Sequence, residues 1–182
     1  WKPPDYSDAG NAKILVDEYN GLLAFCDALG WLSWTGTHWE QNDHKAVEKA
    51  IELTEHMIME SGVELDIALH SEADAKIALA QDKEGAKEQL ARAKETVKQA
   101  KAYFAHASKS RNVSHINGML KLSQPPLHIA ADKLDADPFL LNTPGGRVNL
   151  QTGEIRPHSI DAPFQYCTRI TNVSPGSQGA AV

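Results

Sequence analysis

Asp135 and Asp137 stand two residues apart, the Asp-x-Asp spacing with which nucleotidyl transferases hold Mg²⁺. Pro138 follows and an apolar run opens at Phe139, so the pair also suits a turn, where short carboxylates bond the backbone. A metal-dependent nucleotidyl transfer centre would need further ligands and a phosphate-binding histidine. The chain carries eight histidines, and no spacing selects one of them. His38 with His44, or His106 with Cys167, make no recognisable metal pattern. A Gly-x-x-x-x-Gly-Lys-Ser/Thr loop does not occur, which excludes P-loop ATP hydrolysis from this stretch of sequence. No nucleophile elbow is visible. Cys26 and Cys167 lie far apart and read as free thiols of a reducing cytoplasm.

Contact with nucleic acid is the other chemistry on offer. From Thr96 to Ala131 there is no acidic residue, while Lys98, Lys101, Lys109, Arg111 and Lys121 are joined by His106, His115 and His128. Upstream, residues 43–88 hold twelve acidic and five basic residues, and the chain as a whole stands at −6. The local surplus could meet phosphates. Lys109 and Arg111 fall near an expected helix start, where backbone N–H groups favour anions. An ordinary solvated face is the competing reading. The net acidity argues against strong autonomous DNA binding and permits weak, sequence-independent contact made multivalent in an assembly. Trp34, with Trp31 and Trp39 beside it, could stack single-stranded bases at ~1–3 kcal/mol each. At least two of the three are expected in the core instead.

The elements that must position these residues follow from periodicity. The composition, 42% hydrophobic with four tryptophans, suits a folded α+β protein of 182 residues, either a single domain or two small lobes. Mean hydropathy of −0.40 suggests solubility, and no apolar run approaches the ~20 residues of a membrane span. The start, Trp-Lys-Pro-Pro-Asp, has no signal-peptide core and no initiator Met, which suggests an excised cytoplasmic fragment. Asp8 is the expected cap of a first helix carrying Ala12, Leu15, Val16 and Tyr19. Short strands follow at Leu22–Phe25, Trp31–Trp34 and around His38–Glu40. Asp43 should cap a helix whose face is Val47, Ala50, Ile51, Thr54, Met57 and Ile58. After Gly62 a weaker helical stretch runs to Ala80.

Ala86, Leu90, Ala93, Val97, Ala100, Phe104 and Ala107 then recur in steps of four and three, a narrow stripe that permits close helix approach. With only about three heptads, the stripe suits a hairpin within the chain better than an oligomer seam, although both stay open. Ser108 or Ser110 should break and recap the chain into a helix with Val113, Ile116, Met119 and Leu120, which Gln124-Pro125-Pro126 ends. A β-meander closes the fold: Phe139-Leu140-Leu141, a Pro144-Gly145-Gly146 turn, alternating Arg147 to Leu150, then Glu154-Ile155-Arg156. A mainly helical middle is thus flanked by short hairpins over 1–173. Residues 174–182, rich in Ser, Gly and Ala, read as a linker to something downstream.

Four blocks, in order, resemble the module that precedes the helicase in phage and plasmid primase-helicases, a group that includes poxvirus replication proteins. They are Asp8-Ala9-Gly10-Asn11-Ala12, Trp31 to Glu40, Ser114-His115-Ile116-Asn117-Gly118-Met119-Leu120, and Asp135 to Glu154. Asn149 departs from the family's usual aspartate and Gly145 from its usual asparagine; residues 62–107 follow no nameable motif. The resemblance implies a hexameric superfamily-three helicase after Val182, using ATP and Mg²⁺ there, with a primase domain before Trp1. It implies no cofactor and no catalysis in this fragment. Its partners would be DNA, its own helicase domain and, in the full-length protein, further copies, with no membrane. A metal-dependent primase using Asp135 and Asp137, and a purely structural spacer, are the alternatives.

Overall fold

The computed structural model of the chain describes residues 1–158 and 166–172; the expected linker at 174–182 lies outside the described residues. The architecture is α+β, as expected, and groups into two compact units. One comprises Trp1–Asp17 and Val47–Ser123, the other Glu18–Ala46 and Gln124–Val182. The helices are α1 (Asp8–Tyr19), α2 (Asp43–Ala80), α3 (Ala86–Ser110) and α4 (Val113–Ser123).

Both expected caps move by one residue. Ser7, not Asp8, caps α1: its Oγ accepts the Gly10 N–H at 3.1 Å and its carbonyl the Asn11 N–H at 3.0 Å. Asn42, not Asp43, caps α2, its Oδ1 accepting the Lys45 N–H at 3.1 Å. Where two polar residues adjoin, either can cap, and the second is then free to bond elsewhere. Asp43 uses that freedom to accept the Trp31 N–H at 2.9 Å.

The helical unit corrects four further expectations. α2 passes unbroken through Gly62, whose extra backbone freedom costs a helix interior only about 1 kcal/mol relative to alanine. Its buried face is Ala46, Ala50, Leu53, Thr54, Met57 and Ser61; Val47 and Ile51 are exposed. α3 runs on through Ser108 and Ser110, whose hydroxyls donate back to the Phe104 and His106 carbonyls at 2.8 and 3.0 Å. On α3, Ala86, Ala93, Val97, Ala100 and Ala107 are buried as expected, but Tyr103 is buried in place of Phe104 and Leu90 is only half-buried. Val97 and Ala100 cluster with Ala68 and Leu65 of α2, so the stripe closes a hairpin within the chain.

The second unit holds two three-stranded antiparallel sheets. The first is β1 (Leu23–Cys26), β2 (Gly30–Trp34) and β3 (Trp39–Gln41), in register Phe25↔Trp31 and Trp34↔Trp39. Both of its edges are covered. Leu127 and Ile129 exchange backbone bonds with Phe25, and Cys167 accepts the Trp39 N–H. The second sheet is β4 (Leu140–Thr143), β5 (Gly146–Asn149) and β6 (Ile155–Arg156). Gly146, at φ 139°, allows the tight return between β4 and β5; a Cβ there would lie 2.7 Å from the Arg156 carbonyl oxygen. Buried Asn142 donates to the carbonyls of Thr37 and Arg169, tying the two sheets into one body.

Candidate nucleic-acid interface

Helix geometry sorts the five expected cations. At 3.6 residues per turn, Lys98, Lys101 and Lys109 fall on one exposed stripe of α3, and Lys87 and Lys94 extend it toward the N-terminus. The stripe lies opposite the buried Ala93–Ala100–Ala107 face, so all five lysines meet solvent. Lys87 and Lys94 escape a charge scan because Glu88 and Glu95 adjoin them in sequence, whereas on the helix those acids sit to one side. The helical period carried past Thr96 would have found both. Partial neutralisation is present: Glu95 lies 3.7 Å from Lys98, and the Lys94 and Lys101 charges help hold Glu72, paired with Lys76, below the usual carboxylate range.

Lys109 and Arg111 stand at a helix junction: Lys109 is in the last turn of α3, where the macrodipole favours the cation itself, and Arg111 is the C-cap of α3, two residues before α4 opens at Val113, so the expected helix start lies beside it. Arg111 also leaves the stripe and faces Glu55 at 3.8 Å. Lys121 lies in the last turn of α4, the far end of that helix from Arg111. Only three of the five expected cations therefore share one face.

The remaining expected site residues belong to the sheet unit. Trp31 and Trp39 are buried, and half-buried Trp34 packs against the cluster of Ala24, Cys26, Leu32, Trp39 and Ile129, its ring 5.7 Å from that of Trp39. Asp135 adopts a left-handed conformation at φ 50° and accepts from both the backbone and the hydroxyl of Thr168. Asp137 Oδ1 accepts the Phe139 N–H at 2.9 Å, the turn role that its proline neighbour suggested. Among the described residues, no group of three or more His, Cys, Asp or Glu side chains is placed to hold a metal. Cys26 and Cys167 are free and buried, and burial pushes the Cys167 thiol up.

A polar knot that sequence reasoning missed joins two of the four motif blocks inside the helical unit. Asp8, released from capping, meets His115 Nδ1 at 2.8 Å. Its carboxylate lies over Gly118, where a Cβ would stand 2.4 Å from Oδ2. Fully buried Asn11 donates to Ser110 Oγ at 2.9 Å, and its Oδ1 takes the His106 Nε2 proton at 2.8 Å, which assigns that tautomer. Tyr6 stacks on His106 at 5.1 Å. Burial, and then the charge of His115, hold the His106 imidazole below its ordinary range. Ser110 keeps its hydroxyl proton on the His106 carbonyl, so the serine–histidine contact at 3.3 Å is a structural clasp rather than a nucleophile and base. The partners lie 95 to 107 residues apart, and no local pattern announces them.

The family described as D5 N terminal like matches residues 12–180. No curated protein matches the chain.

Proposed function

Because the chain belongs to the D5 N-terminal-like family, the domain that precedes the helicase in phage- and poxvirus-type primase-helicases, we propose that it is a non-catalytic accessory module that positions DNA for the helicase ring. ATP and Mg²⁺ would act in the helicase domain, and this module would need neither. The observation that carries the reading is the α3 stripe of Lys87, Lys94, Lys98, Lys101 and Lys109, a straight row of exposed ammonium groups on a rigid helix. Lysines so placed meet phosphates and carry no base readout, so binding should be weak, indifferent to sequence and steeply salt-dependent. Engagement of Asp135 with Thr168, and of Asp137 with its own turn, supports a non-catalytic role over metal-dependent nucleotidyl transfer.

The test is fluorescence anisotropy of single- and double-stranded oligonucleotides across a salt series. Replacing Lys101 and Lys109 by glutamate removes two phosphate contacts, and the slope of log K against log salt should fall by about two. Absence of binding at low salt, or an unchanged slope in the variant, would leave a spacer as the function.

A further inference from the structure

Arg147 of β5 keeps only 5% of its surface in solvent, yet among the described residues it has no carboxylate partner. Its Nη2 donates to the Pro157 carbonyl at 3.1 Å, while Nε and Nη1, both buried, have no hydrogen-bond partner among the described residues. A guanidinium taken out of water with two of its three nitrogens unbonded is costly, and buried charges are as a rule paired. Arg156 stands directly opposite on β6, so two like charges meet across the strand pair. Glu154 neutralises Arg156 through a two-pronged pair at 2.9 and 3.0 Å, which leaves neither of its oxygens for Arg147.

Arg147 lines a recess of about 70 Å³ together with Asp137, Leu140, Asn149, Glu154 and Arg156. At about 10–15 Å³ for each water-sized atom, that is room for about five, the number in a phosphate group. Bonds already made sort the polar groups around it. Asn149 Oδ1 accepts the N–H groups of Gln151 and Thr152 at 2.9 and 3.0 Å, which assigns the amide and leaves its NH₂ as a donor. Asp137 Oδ1 accepts the Phe139 N–H at 2.9 Å, and its Oδ2 has no partner among the described residues. The recess thus sets donors of Arg147 and Asn149 beside one unengaged carboxylate oxygen.

We propose that this recess binds a phosphate group, either the free ion or the terminal phosphomonoester of a nucleotide or a strand. Arg147 Nε and Nη1 and the Asn149 amide donate to its oxygens, which answers the buried charge. Asp137 Oδ2 repels a fully ionised oxyanion but accepts from one that keeps a proton. A phosphomonoester, with its second pKa at about 6, retains a proton at modest cost near neutral pH. Sulfate carries none there, and neither does an internal phosphodiester of DNA. Asp137 therefore turns a general anion site into one that selects a phosphate end. The site belongs to the sheet unit and stands independently of the α3 lysines, which belong to the helical unit.

Titration calorimetry at constant ionic strength, with chloride as the balancing ion, tests this. Inorganic phosphate should bind at one site per chain, roughly tenfold or more tighter than sulfate, which leaves Asp137 facing an oxygen with no proton to give. Asn149→Asp retains an Oδ1 for the Gln151 and Thr152 N–H groups and adds a negative charge to the recess. It should weaken phosphate binding roughly tenfold or more without lowering Tm. Arg147→Met, which removes the buried donors, should abolish binding. Adenosine 5′-monophosphate, and a 5′-phosphorylated oligonucleotide against its 5′-hydroxyl counterpart, identify the source. The α3 lysines take any strand, so only the affinity lost in Asn149→Asp is assigned to the recess. A phosphorylated strand that outbinds inorganic phosphate makes the ligand a strand end; phosphate binding without that gain makes it the free ion or a nucleotide. No stoichiometric phosphate binding, equal affinity for sulfate, or phosphate affinity unchanged in Asn149→Asp would overturn the proposal, whether or not Arg147→Met folds.

Discussion

Replacing Asn11 by alanine is the sharpest test of the polar knot. Asn11 is fully buried, and its side chain makes two bonds, Nδ2 to Ser110 Oγ at 2.9 Å and Oδ1 from His106 Nε2 at 2.8 Å. Each contributes about 1 kcal/mol net. Losing Asn11 leaves His106 Nε2 with Ser110 Oγ at 3.3 Å as a weaker acceptor, while Ser110 still donates to the His106 carbonyl. That residual bonding keeps the penalty for an unsatisfied buried donor near the low end of its range, about 1 kcal/mol. The total is about 3 kcal/mol, or about 6–12 °C in Tm for a chain of this size. Urea unfolding followed by helical circular dichroism should report it, because the knot lies in the helical unit. Trp31, Trp34 and Trp39 lie in the sheet unit, so their fluorescence should register the change less. A loss below about 1 kcal/mol in the helical transition would refute the claim that Asn11 ties α1 to the end of α3.

Two further outcomes follow from the same region. Because burial lowers the His106 pKa in the folded chain, the unfolded chain binds its proton first as pH falls; this contribution is complete above about 6.5 and is lost as pH drops through the folded value. Tm should therefore decline on acidification and decline less in His106→Gln; equal declines in both proteins would assign the sensitivity elsewhere. Gly118→Ala should forgo the roughly 1 kcal/mol that alanine normally adds to a helix interior, since its Cβ would displace the Asp8 carboxylate from His115. In an Asp8→Ala background the same change should stabilise, and a cycle showing simple additivity would sink the explanation.

The sequence by itself determined the kinds of element and their order. Alternation placed β1, β2 and the closing meander within a residue or two, because a strand's period of two is local. The α3 stripe was legible for the same reason, and its alanines already announced a close-packed hairpin. Two of the three hairpin tryptophans are buried, as bulky residues alternating in a tight hairpin should be. The family, too, was readable, from the order of four blocks along the chain.

Local pattern could not decide between neighbours that satisfy the same rule. Ser7 against Asp8, Asn42 against Asp43, and Tyr103 against Phe104 were settled by what packs alongside. A glycine or serine inside a helix is a marginal cost that tertiary packing overrides, so α2 continues through Gly62 and α3 through Ser110. A charge scan sees composition, not azimuth. The helical period alone reaches Lys87 and Lys94, but only the folded structure turned Arg111 toward Glu55 and set an apolar side against a basic one. The Asp8–His115 and Asn11–His106–Ser110 contacts join residues about a hundred positions apart, and a long-range bond leaves no period in the chain that makes it.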